Sequence, residues 1–208
     1  MSSAATADAS HGAGHAPAAE YTVTGVPAYK LAMWTFLGSD CFFFGSLIGT
    51  YMSSRGKSLN GPYPLDVFAP AVTSCSTFDL LLSSLFMVLA VHYAKIGDIR
   101  KFTLWTLATM AGGLIFLGFQ AYEFTSFVEE GLTLKSNLFG CTFFVLTGFH
   151  GAHVALGVFL LGSLLWAVRT GKLADNGITT EVIGLYWHFV DIVWILIFTL
   201  VYLLEFTS

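Results

Sequence analysis

Charge is scarce in this sequence. Lysine, arginine, aspartate and glutamate together make up 11% of the 208 residues, whereas 55% are hydrophobic, and the mean hydropathy is +0.73. Soluble domains carry about 25% charged residues, so the composition excludes an ordinary soluble protein and predicts an integral membrane protein. The net charge is −4, whereas proteins that bind nucleic acids usually carry a basic surface, so no nucleic-acid partner is predicted.

Cysteine and proline are also few. The three cysteines, Cys41, Cys75 and Cys141, are far apart and show no CxxC spacing, which excludes a typical zinc site or disulfide framework. Their apolar surroundings predict buried free thiols. No proline interrupts any long apolar run, and no basic segment followed by an apolar core and a cleavage site is present, so no cleaved signal peptide is predicted.

The N-terminal segment differs from the rest of the chain. Residues 1–28 are mostly small and polar and show no apolar periodicity, which predicts a disordered tail. His11 and His15 lie in this tail, but histidines in a low-complexity segment more often bind nothing. We therefore predict no metal site in the chain.

Five long apolar runs occupy residues 29–208. At 1.5 Å per residue each run is long enough to cross about 30 Å of hydrocarbon. The predicted fold class is an all-α integral membrane bundle of five transmembrane helices, with the two termini on opposite sides. The fourth run exceeds what a bilayer needs and should tilt or project. The spans are predicted at about 31–52, 72–94, 102–122, 138–168 and 182–206.

Orientation follows from the lysines and arginines between the spans, because cytoplasmic loops carry the excess. Six lie on the side of the N-terminus and three on the other, which predicts a cytoplasmic N-terminus and an outward C-terminus. The six are Lys30, Lys95, Arg100, Lys101, Arg169 and Lys172, and the three are Arg55, Lys57 and Lys135.

Ionisable side chains occur within the predicted spans, where each costs about 2.5–3.5 kcal/mol at mid-bilayer unless it faces protein or water. They form an inner and an outer set by depth. Positions three apart share a helix face, so His188 and Asp191 point the same way. The inner set is Asp40, His150, His153, His188 and Asp191, and the outer set is Asp79 and Glu123.

Four functions remain open for the inner set on physical grounds. The first is structural, with hydrogen bonds between helices that contribute under about 2 kcal/mol each. The second is proton handling by Asp40, because a carboxyl group in an apolar span can exchange protons near neutral pH. The third is haem b ligation by a histidine of the fourth span and His188. The fourth is transport, although the chain shows none of the repeats or broken helices of transporters.

Four motifs in order resemble one family. TGFHGAHV at residues 147–154 and YWHFVDIVW at residues 186–194 are similar to the paired signature of subunit III of haem-copper terminal oxidases, the cytochrome c and quinol oxidases. QAYEF at 120–124 and GSDCFFF at 38–44 resemble two further family motifs. The resemblance covers about residues 28–206, and it implies the last five helices of a family whose longer members have seven.

The resemblance implies a non-redox accessory subunit in a bacterial inner membrane. It implies that haem and copper lie in partner subunits I and II, that this chain packs on subunit I and binds phospholipid, and that it supports proton uptake and stability of the catalytic subunit. It assigns this chain no catalytic or metal-ligating residue. Asp40 occupies the position of a buried family glutamate, which makes it the proton-related candidate. The expected interhelical polar residues are His150, His153, His188, Asp191, Gln120, Glu123 and Asp79.

Two alternatives remain beside this interpretation. Quinol oxidases and some nitric oxide reductase systems use similar subunits, and only the partner subunit separates them from cytochrome c oxidases. The second alternative is a stand-alone haem-binding membrane protein.

Overall fold

Five long helices form the bundle. The structure is a computed structural model that describes residues 25–55, 57, 70–133, 137–171 and 177–204. The helices are α1 (Ala28–Ser54), α2 (Pro70–Lys95), α3 (Ile99–Glu129), α4 (Leu138–Arg169) and α5 (Ile178–Ile197), and a π-helical segment (Phe198–Leu203) follows α5. All five are long and apolar enough to cross a membrane, which confirms the predicted fold class. Of the predicted disordered tail, residues 1–24 lie outside the described part of the chain.

The helices extend beyond the apolar runs because polar residues cap them. Asp98 precedes α3, and its carboxylate accepts a hydrogen bond from the backbone N–H of Lys101 at 3.1 Å. Asn137 precedes α4 and accepts one from the N–H of Gly140 at 2.7 Å. Each bond satisfies a backbone donor that the first helical turn leaves without a partner.

Helix α5 is the centre of the bundle. It packs against α1, α2 and α4, while α3 packs against α2 and α4. In its most apolar stretch 56% of residues are buried, against 11% in α1. Lipid tails are as apolar as a protein core, so the exposed apolar surface of α1 carries no large cost in a membrane.

Glycines bring some helices together and leave others apart. A Cβ at Gly112 of α3 would lie 2.8 Å from Cβ of Ser83 of α2, so these two backbones approach closely. The GxxxG motif of α1 is formed by Gly45 and Gly49, and a methyl group added at either glycine would meet no atom within 4 Å. Within the described residues this motif therefore packs against no other helix.

The cysteines correct one expectation. Cys41, Cys75 and Cys141 are free thiols, but all three are exposed at the surface of the bundle, so the prediction that they are buried is wrong. An apolar sequence context indicates burial in a soluble protein. In a membrane protein it does not, because the lipid-facing surface is equally apolar.

Polar contacts connect α1 to the bundle at both ends. At the end nearest the N-terminus, Glu181 of α5 lies 2.6 Å from Nζ of Lys30 in α1 and 3.3 Å from Nζ of Lys95 in α2. At the other end, Arg55 donates a hydrogen bond to the carbonyl of Leu204 at 2.9 Å. These contacts hold α1 at both of its ends, although little of the helix is buried.

Candidate functional site

Asp40 and His153 form the most prominent polar pair in the spans. Oδ2 of Asp40 on α1 lies 3.5 Å from Nε2 of His153 on α4, and the two side chains are 12% and 17% exposed. The other ring nitrogen of His153, Nδ1, lies 2.7 Å from the carbonyl oxygen of Phe149. Since a carbonyl only accepts, Nδ1 carries a hydrogen and Nε2 is the atom that faces the carboxyl group.

This arrangement can hold a proton. With one proton on the pair, Asp40 and His153 are either carboxylate and imidazolium or carboxylic acid and neutral imidazole. Both states avoid an isolated charge in the span. The 3.5 Å separation is an ion-pair distance, and Oδ2 makes no hydrogen bond of good geometry among the described residues. Tyr186 of α5 fixes the backbone beside the pair by donating to the carbonyl of His153 at 2.9 Å.

His150 is placed quite differently. Its ring is fully buried, stacks on Trp194 at a centroid distance of 4.8 Å and meets Phe116 edge-on at 5.7 Å. Neither ring nitrogen has a hydrogen-bond partner within the described residues. The expected hydrogen bond between helices is therefore not formed by His150, and its contacts are aromatic packing.

His188 and Asp191 share a face of α5, and both point toward α2. Nδ1 of His188 lies 2.7 Å from the hydroxyl oxygen of Ser84. The Ser84 hydroxyl also lies near the carboxyl group of Asp191, which is 3% exposed, but neither carboxyl oxygen has a hydrogen-bond partner among the described residues. Ser84 thus lies between the two ionisable groups.

The remaining expected polar residues connect α3 to its neighbours. Gln120 donates to the carbonyl of Thr147 on α4 at 2.6 Å, and the absence of a side chain at Gly151 leaves room for its amide. Glu123 accepts a hydrogen bond from the hydroxyl of Thr73 on α2. Asp79 of α2 has one buried carboxyl oxygen without a partner among the described residues.

The histidines do not converge on a common site. His150 faces the aromatic residues of α3 and α5, His153 faces α1, and His188 faces α2. In the described part of the chain, no three histidine, cysteine, aspartate or glutamate side chains are placed to hold a metal ion. Among the described residues, the geometry therefore offers no pair of facing imidazoles for a haem.

Serine and threonine residues of α2 take part in the site, although the sequence alone did not identify them. Ser83 accepts a hydrogen bond from Nε1 of Trp187 at 3.1 Å, and Thr77 accepts one from Nε1 of Trp194 at 3.0 Å. The spacing of the sequence does not reveal them, because Thr77 and Ser83 are six residues apart on α2, whereas their partners Trp187 and Trp194 are seven apart on α5. The two pairs come together through the packing of the helices and not through a shared repeat.

Comparison with known proteins agrees with this architecture. Residues 14–206 match the family described as Cytochrome c oxidase subunit III. The chain is 38% identical over 175 residues to cytochrome c oxidase subunit 3 of Bacillus sp. (strain PS3), covering 84% of each chain. It is 39% identical over 176 residues to cytochrome c oxidase subunit 3 of Alkalihalophilus pseudofirmus, covering 84% of this chain and 85% of the relative.

A third relative is named as a subunit of a quinol oxidase and not of a cytochrome c oxidase. The chain is 36% identical over 197 residues to quinol oxidase subunit 3 of Bacillus subtilis (strain 168), covering 94% of this chain and 96% of the relative. The family match spans nearly the whole chain, and the five apolar helices agree with a multi-pass membrane protein. This chain belongs to the cytochrome c oxidase subunit III family and is an accessory subunit of a haem-copper terminal oxidase complex.

Proposed function

We propose that this subunit supports proton uptake by a proton-translocating cytochrome c oxidase, with the Asp40–His153 pair as its proton-holding site. The observation that carries the proposal is the 3.5 Å separation between Oδ2 of Asp40 and Nε2 of His153. Both side chains are of ionisable types, and they come from different helices of a bundle that has little other charge. A pair that holds one proton can accept and release it without leaving an isolated charge in the span.

The assembly around this site is part of the same proposal. Subunit I is the main contact, subunit II completes the complex, and these partners hold the haem and copper. Phospholipid binds to this chain. The complex lies in a bacterial plasma membrane, a location supported by relatives from bacilli. The N-terminus is cytoplasmic because the end of the bundle at which α1 begins carries Lys30, Lys95, Arg100, Lys101 and Arg169.

A quinol oxidase is the second candidate. The supporting observation is that relatives named as quinol oxidase subunits are about as similar to this chain, at 36% identity, as those named as cytochrome c oxidase subunits, at 38% and 39%. Purification of the complex through this chain, followed by mass spectrometry and an optical spectrum, separates the two. Oxygen consumption with reduced cytochrome c supports the first candidate, and consumption with a quinol alone supports the second.

The proton proposal is tested by replacing Asp40 in the complex. Asp40→Asn should lower proton uptake severalfold while assembly stays intact, because the amide cannot hold the proton. Asp40→Glu retains the acid and should keep uptake near the original rate. Uptake is followed with a pH-sensitive dye in vesicles that contain the oxidase.

Asp79→Asn is the matched control, because it removes another carboxyl group from a span. It should leave uptake unchanged, since Asp79 lies on α2 and pairs with no histidine within the described residues. Unaltered uptake in Asp40→Asn would make Asp40 a packing residue and refute the proposal.

A further inference from the structure

A groove between α2 and α5 opens on the surface of the bundle, on a different side of α5 from the Asp40–His153 pair. Its volume is about 140 Å³, well above the ~10–15 Å³ that one water molecule requires. Because the helical rise is 1.5 Å per residue, the groove extends roughly 10 Å along α5, between positions 181 and 188. It is lined by Val88, Val91, Glu181, Gly184, Leu185 and His188.

The mouth of the groove is charged. Glu181 lies in the first turn of α5, and its carboxylate contacts Nζ of Lys30 at 2.6 Å and Nζ of Lys95 at 3.3 Å. These groups are partly exposed and lie at the end of the bundle where the N-terminal helix begins. The mouth is therefore polar and can be hydrated from that side of the membrane.

The deep end of the groove is His188. Its Nδ1 is engaged by the hydroxyl of Ser84 at 2.7 Å, which leaves Nε2 as the nitrogen that can exchange a proton with water in the groove. A histidine in this position differs from a packing histidine such as His150, whose two nitrogens are both sealed from solvent.

The carboxyl group of Asp191 lies on the side of Ser84 away from the groove, and it has almost no direct access to water. Asp191 is 3% exposed, and both carboxyl oxygens are buried without a strict hydrogen-bond partner among the described residues. Trp187 and Trp194, one turn before and after it, give their indole N–H groups to Ser83 and Thr77 instead. Asp191 lies one turn beyond His188 on the face of α5 that meets Ser84. Among the described residues the Ser84 hydroxyl is a side-chain group near its carboxyl, although the two do not form an aligned hydrogen bond.

We propose that His188 and Ser84 form a proton relay between the groove and a second intramembrane proton site at Asp191. A proton from water binds Nε2 of His188, and the proton on Nδ1 passes to the Ser84 oxygen. The hydroxyl proton of Ser84 moves to the Asp191 carboxylate at the same time. One proton enters, one carboxylate becomes a carboxylic acid, and His188 is left as its other neutral tautomer, so atoms and charge balance.

The relay is tested in the purified oxidase complex by infrared spectroscopy. The carbonyl band of a protonated Asp191 is assigned by subtracting the spectrum of Asp191→Asn, or of Asp191→Glu if the amide variant does not assemble. The complex is then transferred to D₂O, and the rate at which the band shifts reports proton exchange at Asp191.

Ser84→Ala should slow this exchange on the order of a hundredfold, the low end of what losing a positioned proton-transfer group costs. Ser83→Ala is the matched control, because its hydroxyl accepts from Trp187 and donates to the carbonyl of Leu80. That variant should exchange at the original rate. Equal rates in Ser84→Ala and the unaltered complex, or no Asp191 band that responds to D₂O, would overturn the relay.

This outcome is independent of the Asp40 experiment. The relay uses residues of α2 and α5, whereas the Asp40–His153 pair joins α1 and α4. Either proposal can therefore fail while the other stands.

Discussion

Gly113 of α3 faces the indole ring of Trp187 of α5 with no space for a side chain between them. A Cβ at position 113 would lie 2.5 Å from Cη2 of Trp187, and from α4 a Cβ at Gly157 would lie 2.8 Å from Cε3 and Cζ3 of the same ring. Trp187 is 1% exposed, and its Nε1 is held by Ser83 of α2 at 3.1 Å. One tryptophan thus joins three helices to α5.

Replacing Gly113 with alanine should therefore destabilise the subunit. Overpacking of a well-packed interior typically costs about 1–3 kcal/mol, and the ring cannot move aside without breaking its bond to Ser83. The measurement is the temperature at which the subunit dissociates from the purified complex, which should fall in Gly113→Ala.

Gly118→Ala is the matched control on the same helix, because a methyl group added there would meet nothing within 4 Å. Alanine is favoured over glycine in a helix by about 1 kcal/mol, so this variant should be neutral or slightly stabilised. Equal dissociation temperatures for the two variants would contradict the close contact at Trp187.

The number of spans can be predicted from the sequence, but their ends cannot. The apolar run predicts a third span at 102–122, whereas α3 extends from Ile99 to Glu129. Hydropathy ends the run at the polar residues Gln120 and Glu123. The helix continues because Gln120 bonds the Thr147 carbonyl and Glu123 bonds the Thr73 hydroxyl. Whether a polar residue ends a span depends on partners from other helices, which a single apolar run does not reveal.

The sequence alone identifies the residues of the candidate site, but it does not show which of them are in contact. The sequence identifies Asp40 and His153 separately, yet their contact depends on how α1 is rotated against α4. Ser83, Ser84 and Thr77 resemble other serines and threonines in apolar helices, many of which bond only their own backbone. Only the packing of α2 on α5 distinguishes them, because it places the tryptophans and His188 opposite these hydroxyls.

His150→Phe should leave the stability of the subunit nearly unchanged. The imidazole already packs as an aromatic ring against Trp194 and Phe116 and makes no hydrogen bond within the described residues. Phenylalanine is larger than histidine, but the change also removes two buried ring nitrogens that have no hydrogen-bond partner among the described residues. The two effects should offset each other to within about 1.5 kcal/mol. The check is the dissociation temperature of the subunit, compared with that of the unaltered complex.

Thr77→Val is the informative comparison beside the same tryptophan. It removes the acceptor of Trp194 Nε1, and a buried donor left without a partner costs about 1–3 kcal/mol. The valine variant should therefore lose more stability than His150→Phe. A larger loss in His150→Phe would instead indicate that the histidine has a polar role.

The start of α3 should lose stability in acid. The backbone N–H of Lys101 donates to the Asp98 carboxylate, which lowers the pKa of Asp98 below its ordinary value of 3.8. Because the pKa is lower in the folded state, the cap contributes stability above 3.8 and loses it as pH falls through the lower folded value. Amide hydrogen exchange in the first turn of α3 should therefore become faster across that interval.

Asp98→Asn isolates this effect, because asparagine caps a helix without titrating. Exchange in the asparagine variant, corrected for the intrinsic pH dependence of amides, should not accelerate in acid. The same acid response in both proteins would show that another group is responsible.

Glu181→Gln should loosen the attachment of α1 at the end where the helix begins. Glu181 lies between Lys30 of α1 and Lys95 of α2, at 2.6 and 3.3 Å from their Nζ atoms. The side chains of Glu181 and Lys95 are 30% and 51% exposed, so solvent and salt screen the pairs, and each contributes at most about 1 kcal/mol. Amide exchange in the first turns of α1 should quicken in the variant.

Salt separates this ionic contribution from a change in packing. In the unaltered complex, higher ionic strength should quicken exchange in α1, whereas in Glu181→Gln it should have little further effect because the charge is already gone. Glu130→Gln at the end of α3 removes an exposed carboxylate that forms no ion pair within the described residues, and it should leave the salt response of α1 intact. If Glu181→Gln retained the full salt response, charged groups other than the pairs of Glu181 with Lys30 and Lys95 would be responsible for it.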